Sequence, residues 1–394
     1  MNVIGMISGT SYDAIEAVAL EFTLAERSVH ARLLGHVSVP YSEDLRSRVA
    51  KLLPPQVTTI DEVCRLDTLI GQSFAEVAAS LSRDCFAGDV DVVCSHGQTV
   101  FHWVKDGHAL GTLQIGQGTW IAEATGATVV TDVRSRDVAA GGHGAPLASL
   151  MDVLLLGKSP PNVRGALNLG GISNITVVGP EREPIAFDIG PANALMDAAV
   201  TWLSHGVETF DGDGASAARG EVDDELLARF LGDPYYAAPA PKSTGKELFH
   251  LDYLKSHLTQ RALARDDLLA TLCELTARTV ADAVQDHGVD ELFASGGGTR
   301  NPTLMEALRR CLPGVAISLI DDFGVPEAAK EATLFALIGF LSVLGLEGSI
   351  ASCTGARHAA VLGAIIPGRQ MVTSLNSNQS PTHLVFDALT RDAS

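Results

Sequence analysis

The sequence predicts an α/β protein built from two similar units, and three observations carry that expectation. The chain has 394 residues, room for two domains at roughly 150 residues each. A strand, a glycine turn and a second strand occur over residues 3–22 and again over residues 165–178. Around these pairs, short apolar runs alternate with stretches whose apolar residues recur every three to four positions, the pattern of strands followed by covering helices. Little residue identity links the two copies, so the repeat is one of pattern.

In chain order, Val3 to Ile7 is a short apolar run. The turn Ser8-Gly9-Thr10-Ser11-Tyr12-Asp13 follows, then strands over Ile15 to Phe22 and Val29 to Val39. Helical spacing covers Ser42 to Leu53 and Ile60 to Ser82. Val90 to Cys94 reads as a buried strand ending in the polar turn Ser95-His96-Gly97-Gln98, and Ala127 to Val133 as another strand. Ala139 to Pro146 holds too much glycine for a helix, and the domain boundary is placed near it. Gly165 to Leu169 and Ile172 to Val178 flank the turn Gly170-Gly171. A further strand is expected to end at Asp188, with Gly190-Pro191 opening a helix over Ala192 to Ser204. Helices follow at Asp223–Leu231 and Leu268–His287. Leu292 to Ser295 is a strand entering Gly296-Gly297-Gly298, with a helix over Pro302 to Cys311 behind it. Leu334 to Leu346 is too short an apolar stretch to cross a bilayer and reads as a buried helix. From about residue 369 the chain turns polar and reads as a tail.

Composition narrows the function classes. With 46% hydrophobic and 19% charged residues the chain is no disordered protein. A net charge of −19 disfavours binding to nucleic acid or an anionic membrane. Six scattered cysteines with no CxxC pair argue against a zinc ribbon or a disulfide framework, and read as free thiols of a reducing cytoplasm. The P-loop, the nucleophile elbow, HExxH and the dinucleotide GxGxxG are absent. Asp322-Phe323-Gly324 imitates a protein-kinase motif without the catalytic loop or strand lysine that would give it meaning. His96 and His102 read as polar strand and turn residues, with no third ligand in view for a metal.

Three glycine turns remain, each after a strand and beside Asp or Asn. In Ser8 to Asp13, glycine lets the backbone turn tightly and aim N–H groups at an anion, Thr10 and Ser11 add hydroxyls, and Asp13 suits a divalent cation; an ordinary turn with an Asx cap fits the same residues. Asp188, between a strand and a helix N-terminus, suits a catalytic base or metal partner, or a helix cap. Gly296 to Gly298, before Asn301-Pro302, lets a flat ring or phosphate approach the backbone, or is a plain loop. Glu331 in Lys330-Glu331 reads alone as a solvated charge at a helix start.

Taken together, these segments resemble the anhydro-N-acetylmuramic acid kinase family, within the actin–hexokinase–heat-shock ATPase superfamily. The resemblance runs from Gly5 to about Gly368. It rests on Met6 to Asp13, Ser95 to Val100, Leu113 to Gly116, Arg136 to Gly142, Leu167 to Thr176 and Phe187 to Asn193. It continues through Pro241 to Glu247, Gly296 to Pro302, Lys330 to Ala332 and Thr354 to Ala356. It implies two actin-like (ribonuclease H-like) domains with an ATP and sugar cleft between them. These are residues 1–134, completed by about 355–368, and residues 135–354, with 369–394 as the tail.

The implied enzyme opens the internal 1,6 ether of 1,6-anhydro-N-acetylmuramic acid with water and phosphorylates O6, using ATP and Mg²⁺. Asp188 corresponds to the catalytic base. Gly9, Thr10, Ser11, Tyr12, Asp13, Ala14, Ile15 and Glu16 correspond to the phosphate loop. Asn168, Gly170 and Gly171 would face the phosphates, and Gly296, Gly297, Gly298 and Asn301 the nucleotide. Gln98, Arg134, Asp188 and Asn193 are the implied sugar contacts, and Asp13 and Glu331 the implied metal carboxylates. A small-molecule sugar is the implied partner, with no nucleic acid or membrane, a cytoplasmic location, and a homodimer left open.

Several positions depart from the family pattern: Tyr12 for Leu, Ala14 for Gly, Glu16 for Asp, His143 for Gln, Ile189 for Thr and Ala192 for Gly. Ala14 is expected to strain the loop if its φ is positive, and Ile189 to remove a hydroxyl beside the base. A kinase for a different sugar, or a nucleotide-gated binding module, fits such departures.

Overall fold

The structure, a computed structural model, describes residues 1–240, 242–245, 248–258, 263–369 and 379–387. Its strands are β1 (Asn2–Ser8), β2 (Ala14–Ala25), β3 (Ser28–Pro40), β4 (Val92–Lys105), β5 (His108–Ile115), β6 (Thr128–Thr131), β7 (Arg164–Leu169), β8 (Ile172–Val178), β9 (Ile185–Pro191), β10 (Glu291–Ser295), β11 (Ala316–Leu319), β12 (Ala364–Ile366) and β13 (His383–Phe386). The chain forms two compact units, Met1–Gly157 with Phe323–Ser394, and Lys158–Asp322.

In the first unit β1, β2 and β3 form an antiparallel meander, and β4 then β6 line up parallel on the other side of β1. The second unit repeats this scheme. There β7, β8 and β9 are the meander, and β10 then β11 run parallel beyond β7. Each parallel step needs a crossover, and a helix supplies it. Ile60–Phe86 joins β3 to β4, and Arg265–Asp286 joins β9 to β10. The pattern repeat seen in the sequence is thus a repeat of topology.

Helix Ile60–Phe86 buries Leu66, Ile70, Phe74, Val77 and Leu81. This is a stripe at helical spacing, packed on the sheet residues Ile4, Met6, Ile15, Ala17 and Val93. The other face of the sheet is covered by helix Lys330–Val343, buried all round from Ala332 onward, as expected of the apolar stretch. It lies directly on the strands: Phe340 stacks on Phe22 at 5.0 Å, and a Cβ added at Gly339 would sit 2.5 Å from the Cβ of Cys94. No helix among the described residues is long and apolar enough to cross a membrane.

The units divide at Gly157 and Phe323, not near residues 134 and 354 as the sequence suggested. Apolar spacing shows that a segment is helical and not which sheet it covers. Helix Ala148–Leu156 and helix Lys330–Val343 both belong to the first unit, joined by the 3.0 Å ion pair of Lys330 with Asp152. The expected polar tail is in part a strand: β13 pairs parallel with β3 and buries Leu384. Residues 370–378 and 388–394 lie outside the described residues.

Gly339→Ala should cost about 1–3 kcal/mol, the usual range for overpacking, because two backbones meet where a methyl group would have to go. Urea unfolding measures it; an unchanged midpoint would show that the helix can shift away at no cost.

Candidate active site

The turn between β1 and β2 is held from β4. Opposite Met6 to Ser8, β4 carries one extra residue, so its ladder with β1 is bulged at His96-Gly97. The segment expected as a turn therefore continues the strand, with residues 92–98 all buried. Gly97 has φ +70, and a Cβ there would meet the Ile115 carbonyl oxygen at 2.5 Å, so glycine is required. His96 and Gln98, two residues apart, are both buried, at 3% and 0% exposure, with the bulge between them shifting how each meets β1.

Gln98 spends its whole side chain on the turn. Its Oε1 accepts from the Ser8 hydroxyl at 2.7 Å, and its Nε2 donates to the carbonyls of Gly9 at 3.1 Å and Thr99 at 3.2 Å. The turn closes with Tyr12 N–H donating to the Gly9 carbonyl at 3.1 Å. Thr10 and Ser11 are exposed, and among the described residues neither donates its amide to another backbone group. An exposed turn whose amides no backbone carbonyl takes up suits an anion.

Positive φ falls on Tyr12, at +46°, and not on Ala14, which is the first residue of β2. Ile15 turns into the core with 1% exposure, which leaves only its backbone for a ligand. Glu16 faces the other way and is bound by the His36 ring nitrogen Nε2 at 2.9 Å and by the Ser38 hydroxyl. The Asp13 carboxylate is paired with Arg46.

His96 reaches a second element. Its Nε2 accepts from Nε–H of Arg134 at 2.7 Å, and its ring packs at a tilt of 39° against Phe335 with centroids 4.6 Å apart. Burial, reinforced by the Arg134 charge, pushes the His96 pKa down to about 3, so the ring is neutral. Arg134 also donates from Nη1 to the Gly144 carbonyl at 2.6 Å. Burial lowers its pKa to about 10 against the opposing pull of Glu331 and Asp137. Asp137 shapes the glycine-rich loop, accepting from Gly144 N–H at 2.8 Å and from the Thr354 hydroxyl at 2.7 Å.

Glu331 opens helix Lys330–Val343 and reaches solvent from crowded surroundings. Desolvation raises its pKa; Arg134 and Lys330 pull it back, and Glu16 adds to the rise. Among the described residues no three His, Cys, Asp or Glu side chains form a metal cage. Mg²⁺ asks for less, one or two carboxylates with waters and phosphate oxygens completing its shell. Glu331, destabilised as an anion by burial and by Glu16, fits that requirement. Asp13 fits it once Arg46 is exchanged.

In the second unit the glycine turns gather around Asn168. A Cβ at Gly170 would approach its Nδ2 to 3.3 Å, and one at Gly296, whose φ is +91°, its Oδ1 to 2.7 Å. Asn193 binds the same hairpin: its Nδ2 donates to the carbonyls of Leu169 at 3.1 Å and Gly170 at 2.8 Å. The amides of Ala192 and Ala194 donate to the Gly171 carbonyl. Among the described residues neither the Gly170 nor the Gly171 amide donates to a backbone carbonyl. Asn301 caps helix Pro302–Cys311, accepting from Leu304 N–H at 3.0 Å. A cavity of about 470 Å³ joins Asn193, Met196, Phe210, Gly297, Arg300 and Asn301. Sequence reasoning missed the segment Thr209-Phe210-Asp211 on its rim, which has no motif to mark it.

Asp188 does not end a strand. It lies inside β9, which continues to Pro191, and helix Asn193–Leu203 starts later. One Oδ2 accepts from Thr244 N–H at 2.9 Å. Its own backbone is pinned on both sides, N–H to the Lys242 carbonyl at 2.9 Å and carbonyl to the Tyr235 hydroxyl at 2.7 Å. Lys242 is fixed in turn by the carbonyls of Tyr235 and Tyr236 and by the Tyr235 ring. Gly190 is needed because the Tyr236 ring would lie 2.8 Å from a Cβ there. The sequence named Lys242 to Gly245 only as a point of resemblance; its role as the strap on Asp188 appears in the fold. Pro241, Lys246 and Glu247 lie outside the described residues.

Ile189 and Ala192 turn into the core of the second unit, at 3% and 1% exposure. The Ile189 side chain is therefore not the lost hydroxyl beside Asp188 that the sequence suggested.

Residues 1–368 match the sequence profile of a family described as anhydro-N-acetylmuramic acid kinase. A protein of that name from Streptomyces coelicolor is 56% identical over 94% of this chain and 95% of its own length. Its counterpart from Rhodococcus erythropolis is 51% identical over 99% of this chain and all of its own.

Gln98→Leu keeps the volume but strips Ser8 and Gly9 of their partner. Hydrogen exchange of the Tyr12 amide, whose acceptor is the Gly9 carbonyl that Gln98 holds, should accelerate at least about tenfold, in line with the roughly 1–3 kcal/mol that a buried polar group loses without its partner. Exchange within helix Ile60–Phe86 should be unchanged. Equal protection of the turn in both proteins would remove Gln98 from this role.

Proposed function

Because the chain belongs to the anhydro-N-acetylmuramic acid kinase family, we propose that Asp188 is the base with which it opens its sugar. The enzyme is an ATP-dependent sugar kinase of peptidoglycan recycling with two actin-like α/β units. The observation that supports Asp188 is its fixation: a partly buried carboxylate with one oxygen on the Thr244 amide and its backbone pinned by Lys242 and Tyr235. Such a group needs no reorganisation when it acts.

The reaction then runs as follows. Water gives a proton to Asp188 as its oxygen attacks C1 of 1,6-anhydro-N-acetylmuramic acid. The C1–O6 bond breaks, O6 takes the γ-phosphoryl group of ATP, and ADP leaves. The products are N-acetylmuramic acid 6-phosphate and ADP, with the proton passing from Asp188 to solvent. O6 is a poor leaving group as an alkoxide, and the phosphoryl group traps it as it departs. One carboxylate suffices where glycosidases use two.

ATP's phosphates are assigned to the backbone amides of Thr10, Ser11, Gly170 and Gly171, which among the described residues no backbone carbonyl takes up, and its nucleoside to the cavity of Gly297, Phe210 and Asn301. Mg²⁺ would be held by Glu331 and Asp13, where it neutralises charge on the phosphate oxygens. Gln98 and Asn193 act by holding the turns, and Arg134 faces an anionic part of the substrates. All six cysteines are free thiols, which supports a reducing, cytoplasmic setting.

In ¹⁸O-water the first product should carry label at C1 and phosphate on O6. A sugar phosphate without solvent oxygen would contradict the scheme. Asp188→Asn should lower kcat about 10²–10⁴-fold; a loss of only a few-fold would leave Asp188 a structural residue. Glu331→Gln and Asp13→Asn should each raise the Mg²⁺ concentration for half-maximal turnover. An unchanged requirement removes that residue from the metal site.

A further inference from the structure

Arg134 is held in an unusual way for a partly buried guanidinium. Its two hydrogen-bond partners among the described residues are both uncharged: the imidazole of His96 on Nε and the Gly144 carbonyl on Nη1. Among the described residues no carboxylate lies within ion-pair distance of it. Glu331 and Asp137 act on it from farther off; Asp137 has both carboxylate oxygens engaged by Gly144 N–H and Thr354. Arginine in such surroundings is normally paired bidentately with an acid, which consumes its charge and its fork of donors. Here the two neutral acceptors fix the plane of the group and leave Nη2, and a charge bound in no direct ion pair, for a ligand.

The imidazole is itself held on every side. Because Nε2 accepts from Arg134, the ring proton must be on Nδ1, which donates to the Gly97 carbonyl at 3.1 Å. Phe335 covers the ring face. The bulge at His96-Gly97 sets its direction. His96 has 3% exposure and touches no open surface through which a substrate could reach it. Its function must therefore pass through Arg134.

We propose that His96 is the positioning residue for Arg134: an uncharged acceptor that aims the guanidinium, charge intact, at an anionic oxygen of the substrates. The inference rests on the kinase reading above and adds how the anion is recognised. Two such oxygens exist in the reaction, those of the sugar's lactyl carboxylate and those of the phosphoryl group in transfer. His96 suits either, because a carboxylate in its place would pair with Arg134 and compete with both.

Three variants test it on the intact enzyme: His96→Gln, His96→Glu and Arg134→Met. Gln keeps an uncharged acceptor and Glu replaces it by a charged one of nearly the same size. The substrates are ATP with 1,6-anhydro-N-acetylmuramic acid, and ATP with 1,6-anhydro-N-acetylglucosamine, which lacks the carboxylate. His96→Gln should keep kcat/KM within about fivefold of the parent. His96→Glu and Arg134→Met should lose about 10–100-fold, the range of one charged hydrogen bond. If the sugar carboxylate is the partner, the loss appears in the sugar KM and is confined to the carboxylated sugar. If the phosphoryl group is the partner, both sugars lose alike and the loss appears in kcat. Either pattern supports the proposal.

His96→Glu performing like His96→Gln on both sugars, at matched melting temperature, would overturn it, because the charge of the acceptor would then be immaterial. So would an equal loss in Gln and Glu, which marks His96 as packing only. A parent enzyme that turns over neither anhydro-sugar would instead refute the kinase reading.

Discussion

One extra residue in β4 governs how the first unit's polar groups are set. The bulge at His96-Gly97 exists because Gly97 takes a left-handed φ with the Ile115 carbonyl pressed against it. At the bulge and just past it, two polar side chains are buried. Gln98 ties down the turn that carries Thr10 and Ser11, and His96 sets Arg134. Burying a glutamine amide and an imidazole would cost several kcal/mol if they were unpaired, so their partners are fixed as firmly as the core itself. A single backbone irregularity thus orients the Gly9–Tyr12 turn and a cation together.

The second unit reaches the same end by a different device. Its counterpart strand β10 carries no such bulge with β7; instead Asn168 fills the space between two glycine turns, and Asn193 binds the hairpin from the helix that follows. Asp188 is held by a strap, Lys242 to Gly245, that is distant in sequence. The two units share strand order yet fix their polar groups by unrelated contacts. That is why topology repeats along this chain while residues do not.

Much of this was legible in the sequence for a plain reason. Strands, glycine turns and amphipathic helices are local patterns, and Ile60–Phe86 or Lys330–Val343 declare themselves by spacing alone. What was not legible depends on partners far along the chain. Ser95 to Gln98 reads as a turn because polar residues and glycine mark turns, and only the β1 ladder and the Ile115 carbonyl make it a bulge. The bulge between Ser173 and Asn174 in the β8–β9 ladder likewise hides which way Ile189 points. Ala14 looked strained because a loop was assumed there, whereas the strand begins at that residue and the positive φ falls on Tyr12. The domain boundary was misplaced since helices beside it cover a sheet whose strands were read a hundred residues earlier.

The claim that one bulge serves both substrates is tested most directly by Gly97→Ala. Titration calorimetry with a non-hydrolysable ATP analogue and, separately, with 1,6-anhydro-N-acetylmuramic acid would be run on a variant whose circular dichroism matches the parent. A Cβ at this position must displace the bulge, so both affinities are predicted to fall together, each by about tenfold or more, as expected when a charged hydrogen bond is lost. A folded variant that binds both ligands as tightly as the parent would contradict the account.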